Sequence, residues 1–360
     1  MSHFHSLSIK DIKQETQDCV SVSFHVPEAL TETFKYTAGQ YLTLKTSIND
    51  EEVRRSYSIC SSPNDKELRV AIKKVENGKF STYANDTLKV GDSLEVMPPL
   101  GNFCIKETTE GKKDYLAFAS GSGITPVFGI LKTVLENEPT STFTLVYGNK
   151  NRGTIIFKEG LEALKNKYMD RLTVHHVFTR EKTDTPTFYG RISQSKAEEF
   201  KKVIDYTQFE EAFICGPEEM ILGLRTFFAE NNYNSAKVHF ELFASPDQPK
   251  VATQEWVEKQ KEVDTSKMSN ITIRLDGTSF EFDLAYGGDT ILDAALKQGA
   301  DLPFACKGGV CCTCRAKVTE GTVDMEVNYA LEPDDLANNF VLTCQAHPRS
   351  EKVFIDFDIK

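Results

Sequence analysis

The 360-residue sequence lacks any apolar run of the roughly 20 residues that a membrane-spanning helix needs. Its first residues, MSHFHSLSIKDIKQETQDC, lack the apolar core of a signal peptide, so we expect a cytoplasmic protein that binds no membrane. Basic residues are outnumbered, with 42 Lys and Arg against 53 Asp and Glu, and the net charge of −11 argues against nucleic acid as a partner. The nine cysteines do not indicate a disulfide framework in a reducing compartment.

The negative charge is concentrated near the C-terminus. Residues 269–360 contain eight Lys and Arg against fifteen Asp and Glu. One interpretation is an ordinary solvated surface. The other is a docking face for a basic protein partner, because complementary charge speeds encounter.

The hydrophobic pattern divides the chain into three domains and a linker. Residues 1–106 contain short runs such as CVSVSFHV and YLTLKT between Gly and Pro residues, which predicts a small antiparallel β-barrel or sandwich. Residues 107–243 alternate strand-like and helix-like runs, which predicts an α/β domain with a doubly wound parallel sheet. Residues 244–268 are polar and are interpreted as a linker, in which EWVEKQKEV can form a helical turn or two. Residues 269–360 begin with two alternating strands that meet in a predicted hairpin at Asp276-Gly277.

Four cysteines in the last domain have the spacing of an iron–sulfur site. They follow the pattern C-x4-C-x2-C, with 29 residues between the third cysteine and a fourth: Cys306, Cys311, Cys314 and Cys344. Structural zinc is the main alternative, but it usually needs a second C-x2-C or Cys/His pair, which the sequence lacks. Cys312 is out of register with the four, and the histidines show no metal-like spacing.

On this spacing, and on the sequence LTCQAHP around the fourth cysteine, residues 270–360 resemble a plant-type ferredoxin. The resemblance implies an α+β fold of the β-grasp type. It also implies a 2Fe–2S cluster that is bound by the four cysteines and carries single electrons.

The barrel segment contains a motif that suits a flavin. In RRSYSIC, residues 54–60, Arg55 offers a planar donor to a phosphate, Tyr57 can cover a flavin face, and Ser58 can hydrogen-bond near the reactive nitrogen. These residues resemble the flavin motif of the ferredoxin–NADP reductase superfamily. Alone, this pattern is also compatible with an ordinary β-strand.

A second stretch of the barrel segment, AIKKVENGKFSTYANDTL, extends this resemblance. It implies that Gly78, Ser81 and Thr82 hold the flavin pyrophosphate at a helix start, where backbone N–H groups attract anions, and that Lys73 is a flavin-side lysine. An ordinary helix cap is the alternative. The stretch looks more like the FAD-binding form than like the phthalate-dioxygenase type of reductase, which has the same domain order but uses FMN.

Two further motifs follow strands of the α/β segment. In GSGITP, residues 121–126, proline replaces the third glycine of the usual dinucleotide fingerprint, as it does in this superfamily. CGP at 215–217 resembles the second superfamily motif, whose cysteine lies near the nicotinamide. The resemblance implies nicotinamide-dinucleotide contacts from Gly121, Gly123, Thr125, Pro126, Cys215, Gly216, Pro217 and Met220.

The sequence ELF at residues 241–243 closes the α/β segment. There the superfamily often places a carboxylate and an aromatic ring beside the flavin, which implies roles for Glu241 and Phe243, although Phe243 could instead belong to the core. By the same resemblance, Ser58, Cys215 and Glu241 are the predicted catalytic residues.

The domain order implies that a hydride passes from NADPH or NADH to FAD, and that single electrons then pass through the 2Fe–2S cluster to a protein acceptor. NADPH is favoured by Lys150, Arg152 and Lys158 after the strand TLVYGN, although solvated loop charge explains them equally. The chain resembles the group that includes the reductase component of phenylacetyl-CoA epoxidase, so an oxygenase is the expected partner. Reductases of other oxygenases, hydroxylases, desaturases or the hybrid-cluster protein remain alternatives, as does a redox-sensing module.

Overall fold

The computed structural model describes residues 3–105, 111–243 and 254–359, which fold as two compact units. The larger unit comprises Phe4–Val53 and Tyr57–Phe243, and the smaller one lies mainly in the C-terminal part of the chain. The predicted boundary after residue 106 and the first part of the predicted linker, residues 244–253, fall outside the described residues. Among the described residues, no helix is long and apolar enough to cross a membrane.

The first part of the larger unit is the predicted antiparallel barrel. Its six strands have the order β4-β3-β6-β1-β2-β5. Along β1, Leu7 and Ile9 are buried while their neighbours are more exposed, because successive side chains of a strand point to opposite faces. The elements are β1 (His5–Thr16), β2 (Cys19–His25), β3 (Tyr41–Ile48), β4 (Glu51–Ser58), β5 (Leu68–Lys73), α1 (Lys79–Asp86) and β6 (Ser93–Val96).

The second part is the predicted α/β domain, whose five parallel strands have the order β11-β10-β7-β8-β9. Its first strand, DYLAFAS, is buried at five successive positions, as expected for a parallel strand that is covered on both faces. The elements are β7 (Asp114–Ser120), α2 (Ile124–Asn137), β8 (Thr142–Asn149), α3 (Lys158–Lys167), β9 (Leu172–Phe178), α4 (Gln194–Phe200), β10 (Glu211–Gly216), α5 (Glu218–Glu230) and β11 (Val238–Leu242). The strand order reverses beside β7, which places a ligand crevice at the carboxyl ends of β7 and β10.

Helix α2 joins the barrel to the α/β domain. A Cβ on Gly129 would lie 3.1 Å from the carbonyl oxygens of both Ile59 and Ser61, so only a glycine allows this close approach without adjustment of the barrel backbone. Further along α2, Lys132 pairs with Asp65 at 2.6 Å. A single hydrophobic cluster contains residues of both parts, so the two parts form one unit.

The smaller unit has a mixed five-stranded sheet of order β13-β12-β18-β14-β16 and a two-stranded sheet, β15-β17. The predicted hairpin is confirmed: Asp276 and Gly277 have φ values of 50° and 75°, and the strands pair at Leu275 and Thr278. The elements are α6 (Gln254–Lys261), β12 (Met268–Leu275), β13 (Thr278–Ala285), α7 (Ile291–Lys297), β14 (Arg315–Glu320), β15 (Val323–Met325), α8 (Pro333–Ala337), β16 (Phe340–Leu342), β17 (Ala346–Pro348) and β18 (Lys352–Asp356).

Candidate functional site

Strand β4 carries the predicted flavin motif at its end. Ser58 is buried, whereas Arg55 and Tyr57 are half-buried and lie on the opposite face of the strand. The ring of Tyr57 is 5.5 Å from that of Phe80, which belongs to α1. The motif and the start of α1 therefore lie together, as a shared flavin site requires.

The start of α1 has the form of an anion site. Gly78 is the N-cap, and among the described residues no side chain caps this turn. The Ser81 hydroxyl instead accepts a hydrogen bond from the Val75 N–H at 3.2 Å. A Cβ on Gly78 would lie 2.4 Å from both Ser81 Oγ and Val75 Cγ2, so the tight turn excludes a larger residue. Thr82 follows in the first turn, and its N–H is bonded to the Gly78 carbonyl. The other N–H groups of this turn suit the pyrophosphate of FAD.

The two predicted dinucleotide motifs meet at the carboxyl edge of the parallel sheet. A Cβ on Gly123 would lie only 2.1 Å from the carbonyl oxygen of Cys215. Gly216 packs in the same way against Met220, since a Cβ there would lie 2.5 Å from Met220 Cε. The sequence GSG thus allows the turn after β7 to touch the turn after β10, which is where a nicotinamide dinucleotide binds in such sheets.

The remaining residues of these two motifs hold the loops in shape. Thr125 is buried in the first turn of α2, and its hydroxyl donates to the Ser122 carbonyl at 3.0 Å. Pro126 is also buried, and Pro217 is the N-cap of α5. Gly121 has a φ of 55°, and the nearest atom to a Cβ placed there is Lys73 Nζ at 3.8 Å. The predicted flavin-side lysine therefore also faces the dinucleotide loop.

The three predicted catalytic residues come together in the larger unit. Strand pairing places Cys215 of β10 opposite Glu241 of β11, and the Ser58 hydroxyl donates to Glu241 Oε2 at 3.1 Å. Residue Glu241 is partly exposed, but its carboxyl group is enclosed by protein, and this burial raises its pKa to about 8. Burial, and then the nearby Glu241 charge, raise the pKa of the Cys215 thiol. The trio can therefore hold a proton at neutral pH. Phe243 follows at the end of the strand and is 40% exposed, so it is not a core residue.

In the smaller unit, the four predicted cluster ligands form one buried group. Three lie in the loop between α7 and β14, and Cys344 lies between β16 and β17. The Cys306 thiol interacts with those of Cys311 and Cys344, and Cys344 also interacts with Cys314. The sequence folds this way because Gly309, with a φ of 73°, passes so close to Val327 that a Cβ would lie 2.9 Å from it.

The donor set fits a 2Fe–2S cluster. The Gly308 N–H donates to Cys306 Sγ at 3.3 Å, and Gln345 Nε2 donates to Cys344 Sγ at 3.4 Å, as expected for sulfurs that carry negative charge. Among the described residues, no group of three or more His, Cys, Asp or Glu is arranged to hold one metal ion. A two-iron cluster does not need such a group, because four thiolates are shared between two irons. Cys312 lies apart from the group and donates to the Ala330 carbonyl.

Two features of these sites were not predicted from the sequence. The first is Gln345, whose Nε2 donates hydrogen bonds to Cys344 Sγ and to the Lys307 carbonyl, and its only signal in the sequence is its position directly after the fourth cysteine. The other is an ion pair after β8, in which Glu181 accepts hydrogen bonds from the guanidinium and the backbone N–H of Arg152. Nothing in the local sequence links these residues, which are 29 positions apart.

Three family models match the chain. The oxidoreductase FAD-binding domain matches residues 6–105, the oxidoreductase NAD-binding domain residues 118–226, and the 2Fe–2S iron–sulfur cluster binding domain residues 273–349. The chain thus has the FAD-binding, NAD-binding and 2Fe–2S domains that its sequence predicts.

Curated relatives match over nearly the full length. The chain is 43% identical to one of the subunits of 1,2-phenylacetyl-CoA epoxidase from Escherichia coli (strain K12), covering 100% of this chain and 99% of the relative. It is 34% identical to the ferredoxin reductase component of 3-ketosteroid-9-alpha-monooxygenase of Rhodococcus rhodochrous, covering 98% and 96%. Among solved structures, phthalate dioxygenase reductase is similar in fold, with a TM-score of 0.59, 22% identity and 98% coverage of each chain.

The raised pKa of Glu241 predicts a pH dependence of stability. Burial favours the protonated carboxyl in the folded protein, so its stabilising effect is complete below the ordinary pKa of 4.5 and is lost as the pH rises towards about 8. We therefore expect the Tm of Glu241→Gln to rise relative to the Tm of the native protein as the pH increases from 4.5 to about 8, and the difference to stay constant above that pH. Ser58→Ala removes a hydrogen bond to the charged Glu241 carboxylate, so its loss of stability should continue to higher pH. Plots of Tm against pH that run parallel for all three proteins would contradict the raised pKa of Glu241.

Proposed function

The chain belongs to the family of oxygenase reductases that join FAD-binding, NAD-binding and 2Fe–2S domains, and we propose that it passes electrons from NADPH to the oxygenase of phenylacetyl-CoA epoxidase. The proposal rests on one observation above all: a single chain holds both the Ser58–Glu241–Cys215 trio and a complete, buried set of four cluster thiols. The full-length match to a component of the epoxidase supports the choice of oxygenase.

Both groups are needed because the donor and the acceptor differ in electron count. FAD, when bound, takes up two electrons with the hydride, whereas a 2Fe–2S cluster carries one electron at a time. The residues of the chain serve this chemistry in separate places. The loops at Gly123 and Cys215 would hold the nicotinamide dinucleotide, Ser58 and Glu241 can share a proton, and the four thiolates would hold the cluster.

We further propose that the oxygenase binds the acidic iron–sulfur domain, and that the protein works in the cytoplasm. The excess of acidic residues in 269–360 supports a basic docking face on the partner, because opposite charges steer association. None of the nine cysteines, all of which lie in the part of the chain that the structure describes, forms a disulfide, in agreement with a reducing compartment.

The partner is tested by reconstitution. The protein is mixed with the epoxidase oxygenase, NADPH and phenylacetyl-CoA, and epoxide formation is measured against ionic strength; the oxygenase of a 3-ketosteroid monooxygenase and its steroid serve as the control. We expect product only with the epoxidase, and a rate that falls as salt screens the attraction. Equal support of steroid hydroxylation, or no epoxide from a protein that still reduces ferricyanide with NADPH, would contradict the proposal.

Preference for NADPH is supported by the position of Arg152. This residue follows β8 at the carboxyl edge of the sheet, where a dinucleotide places its adenosine ribose. Its guanidinium lies 5.4 Å from the centre of the Phe178 ring, and Glu181 holds it in an ion pair. The guanidinium would bind a 2′-phosphate, which only NADPH carries, in place of the Glu181 carboxylate. Lys150 is exposed close by, whereas Lys158 lies near Glu162, at 4.0 Å.

Arg152→Gln should therefore lower kcat/KM for NADPH by about tenfold, the usual scale of one charge-assisted hydrogen bond, and leave that for NADH unchanged. Lys167→Gln, at the opposite end of α3 from Lys158, is the matched control, and it should alter neither value. The measurement is steady-state ferricyanide reduction with each coenzyme. An equal loss with both coenzymes, or a native preference for NADH, would show that Arg152 does not recognise the phosphate.

A further inference from the structure

The only tryptophan of the chain, Trp256, lies on α6, ahead of the first strand of the iron–sulfur domain. Helix α6 belongs to the smaller unit, which contains this domain, and we propose that Trp256 is a positioning residue for the 2Fe–2S cluster. Trp256 packs against the small β15-β17 sheet and so fixes it in place. The segment after β15 in turn packs against the cluster-binding loop. This inference does not depend on which oxygenase receives the electrons.

Helix α6 needs a packing contact in order to exist. It has eight residues, QEWVEKQK, fewer than the 12 to 15 or so at which an isolated helix becomes even marginally stable in water. Most of these residues are charged or polar, so little apolar surface is available for packing. The indole ring provides the contact: it lies 5.1 Å from the ring of His347, and the Arg349 guanidinium lies 5.5 Å from its centre.

The two residues that contact Trp256, His347 and Arg349, also connect β15 and β17 through side-chain pairs. His347 Nε2 is 2.8 Å from Glu326 Oε1, and Arg349 Nε donates to Asp324 Oδ2 at 2.8 Å. The side chains of His347 and Arg349 are only 9% and 13% exposed. Because polar interactions are stronger where water is excluded, the indole strengthens both pairs by covering them.

The same segment reaches the cluster-binding loop. The Tyr329 N–H donates to the Gly309 carbonyl at 3.0 Å, and Val327 contacts Gly309. The Glu326 N–H donates at 2.9 Å to the carbonyl of Gln345, the residue whose side chain bonds Cys344 Sγ. Solvent access and hydrogen bonds to the sulfurs tune an iron–sulfur cluster, so loosening this sheet should disturb it.

A cavity separates part of α6 from the segment that follows β15. It has a volume of about 250 Å³ and is lined by Trp256 and Lys259 on one side and by residues 324–328 on the other. At this cavity the helix does not pack closely against the segment. The ring contacts of Trp256 with His347 and Arg349 bridge the two, so a substitution at Trp256 should loosen the helix.

The test uses the full-length protein with FAD and cluster bound. Loss of the cluster in mild urea with a chelator is followed by visible circular dichroism, and flavin release is followed by fluorescence in the same samples. We expect Trp256→Ala to lose its cluster about fivefold faster than the native protein and to release flavin at an unchanged rate. Trp256→Phe keeps an aromatic ring and should lie close to native. Glu258→Ala, at an exposed position of the same helix, is the matched control and should be native.

Four results would overturn the proposal. One is cluster loss from Trp256→Ala at the rate of the Glu258→Ala control. Another is flavin loss that accelerates as much as cluster loss, because that would indicate general destabilisation. The third is Trp256→Phe behaving as Trp256→Ala. Tryptophan emission from the native protein gives an independent reading, since it reports Trp256 alone. The emission maximum should shift to the red before the cluster is lost or at the same time, because Trp256 must leave its contacts first. A red shift that occurs only after cluster loss would also overturn the proposal.

Discussion

The contact between Gly123 and the Cys215 carbonyl is the constraint on which the larger unit depends. No Cβ fits between the two loops, so glycine at position 123 lets the turns after β7 and β10 touch. Helix α2 starts at this contact and reaches the barrel at Gly129, which lies beside the carbonyl group of Ile59. Ile59 directly follows Ser58 of the flavin motif. One helix therefore sets the distance between the dinucleotide loop and the flavin motif, and hydride transfer is sensitive to errors of about 1 Å.

The two units divide the chemistry by electron count. The larger unit contains a buried carboxyl group, Glu241, whose burial raises its pKa to about 8, so that together with Ser58 it can hold a proton at neutral pH. The smaller unit instead brings four thiol groups together and directs the N–H groups of Gly308 and Gln345 at two of the sulfurs, which favours negative charge there. Each unit thus has the polar groups that its own step requires.

Patterns that are local in the sequence predicted most of this arrangement. The cysteine spacing, the Asp276-Gly277 turn and the strand–helix alternation each reflect short-range geometry, and the structure contains the corresponding elements. Helix α6 was interpreted as part of the linker, with no more than a helical turn or two expected, because its eight residues have no apolar period and the packing partner of Trp256, His347, lies 91 positions away. The Cys215–Glu241 pairing likewise depends on strand register, which only the folded sheet reveals.

An anaerobic titration of the purified protein with NADPH, followed by visible absorption and EPR, tests the proposed electron path most directly. We predict that the flavin band bleaches, and that a reduced 2Fe–2S signal of about one spin per chain develops as NADPH is added, because the cluster takes single electrons. A flavin that bleaches with no such EPR signal would contradict the path, because electrons would then stop in the larger unit.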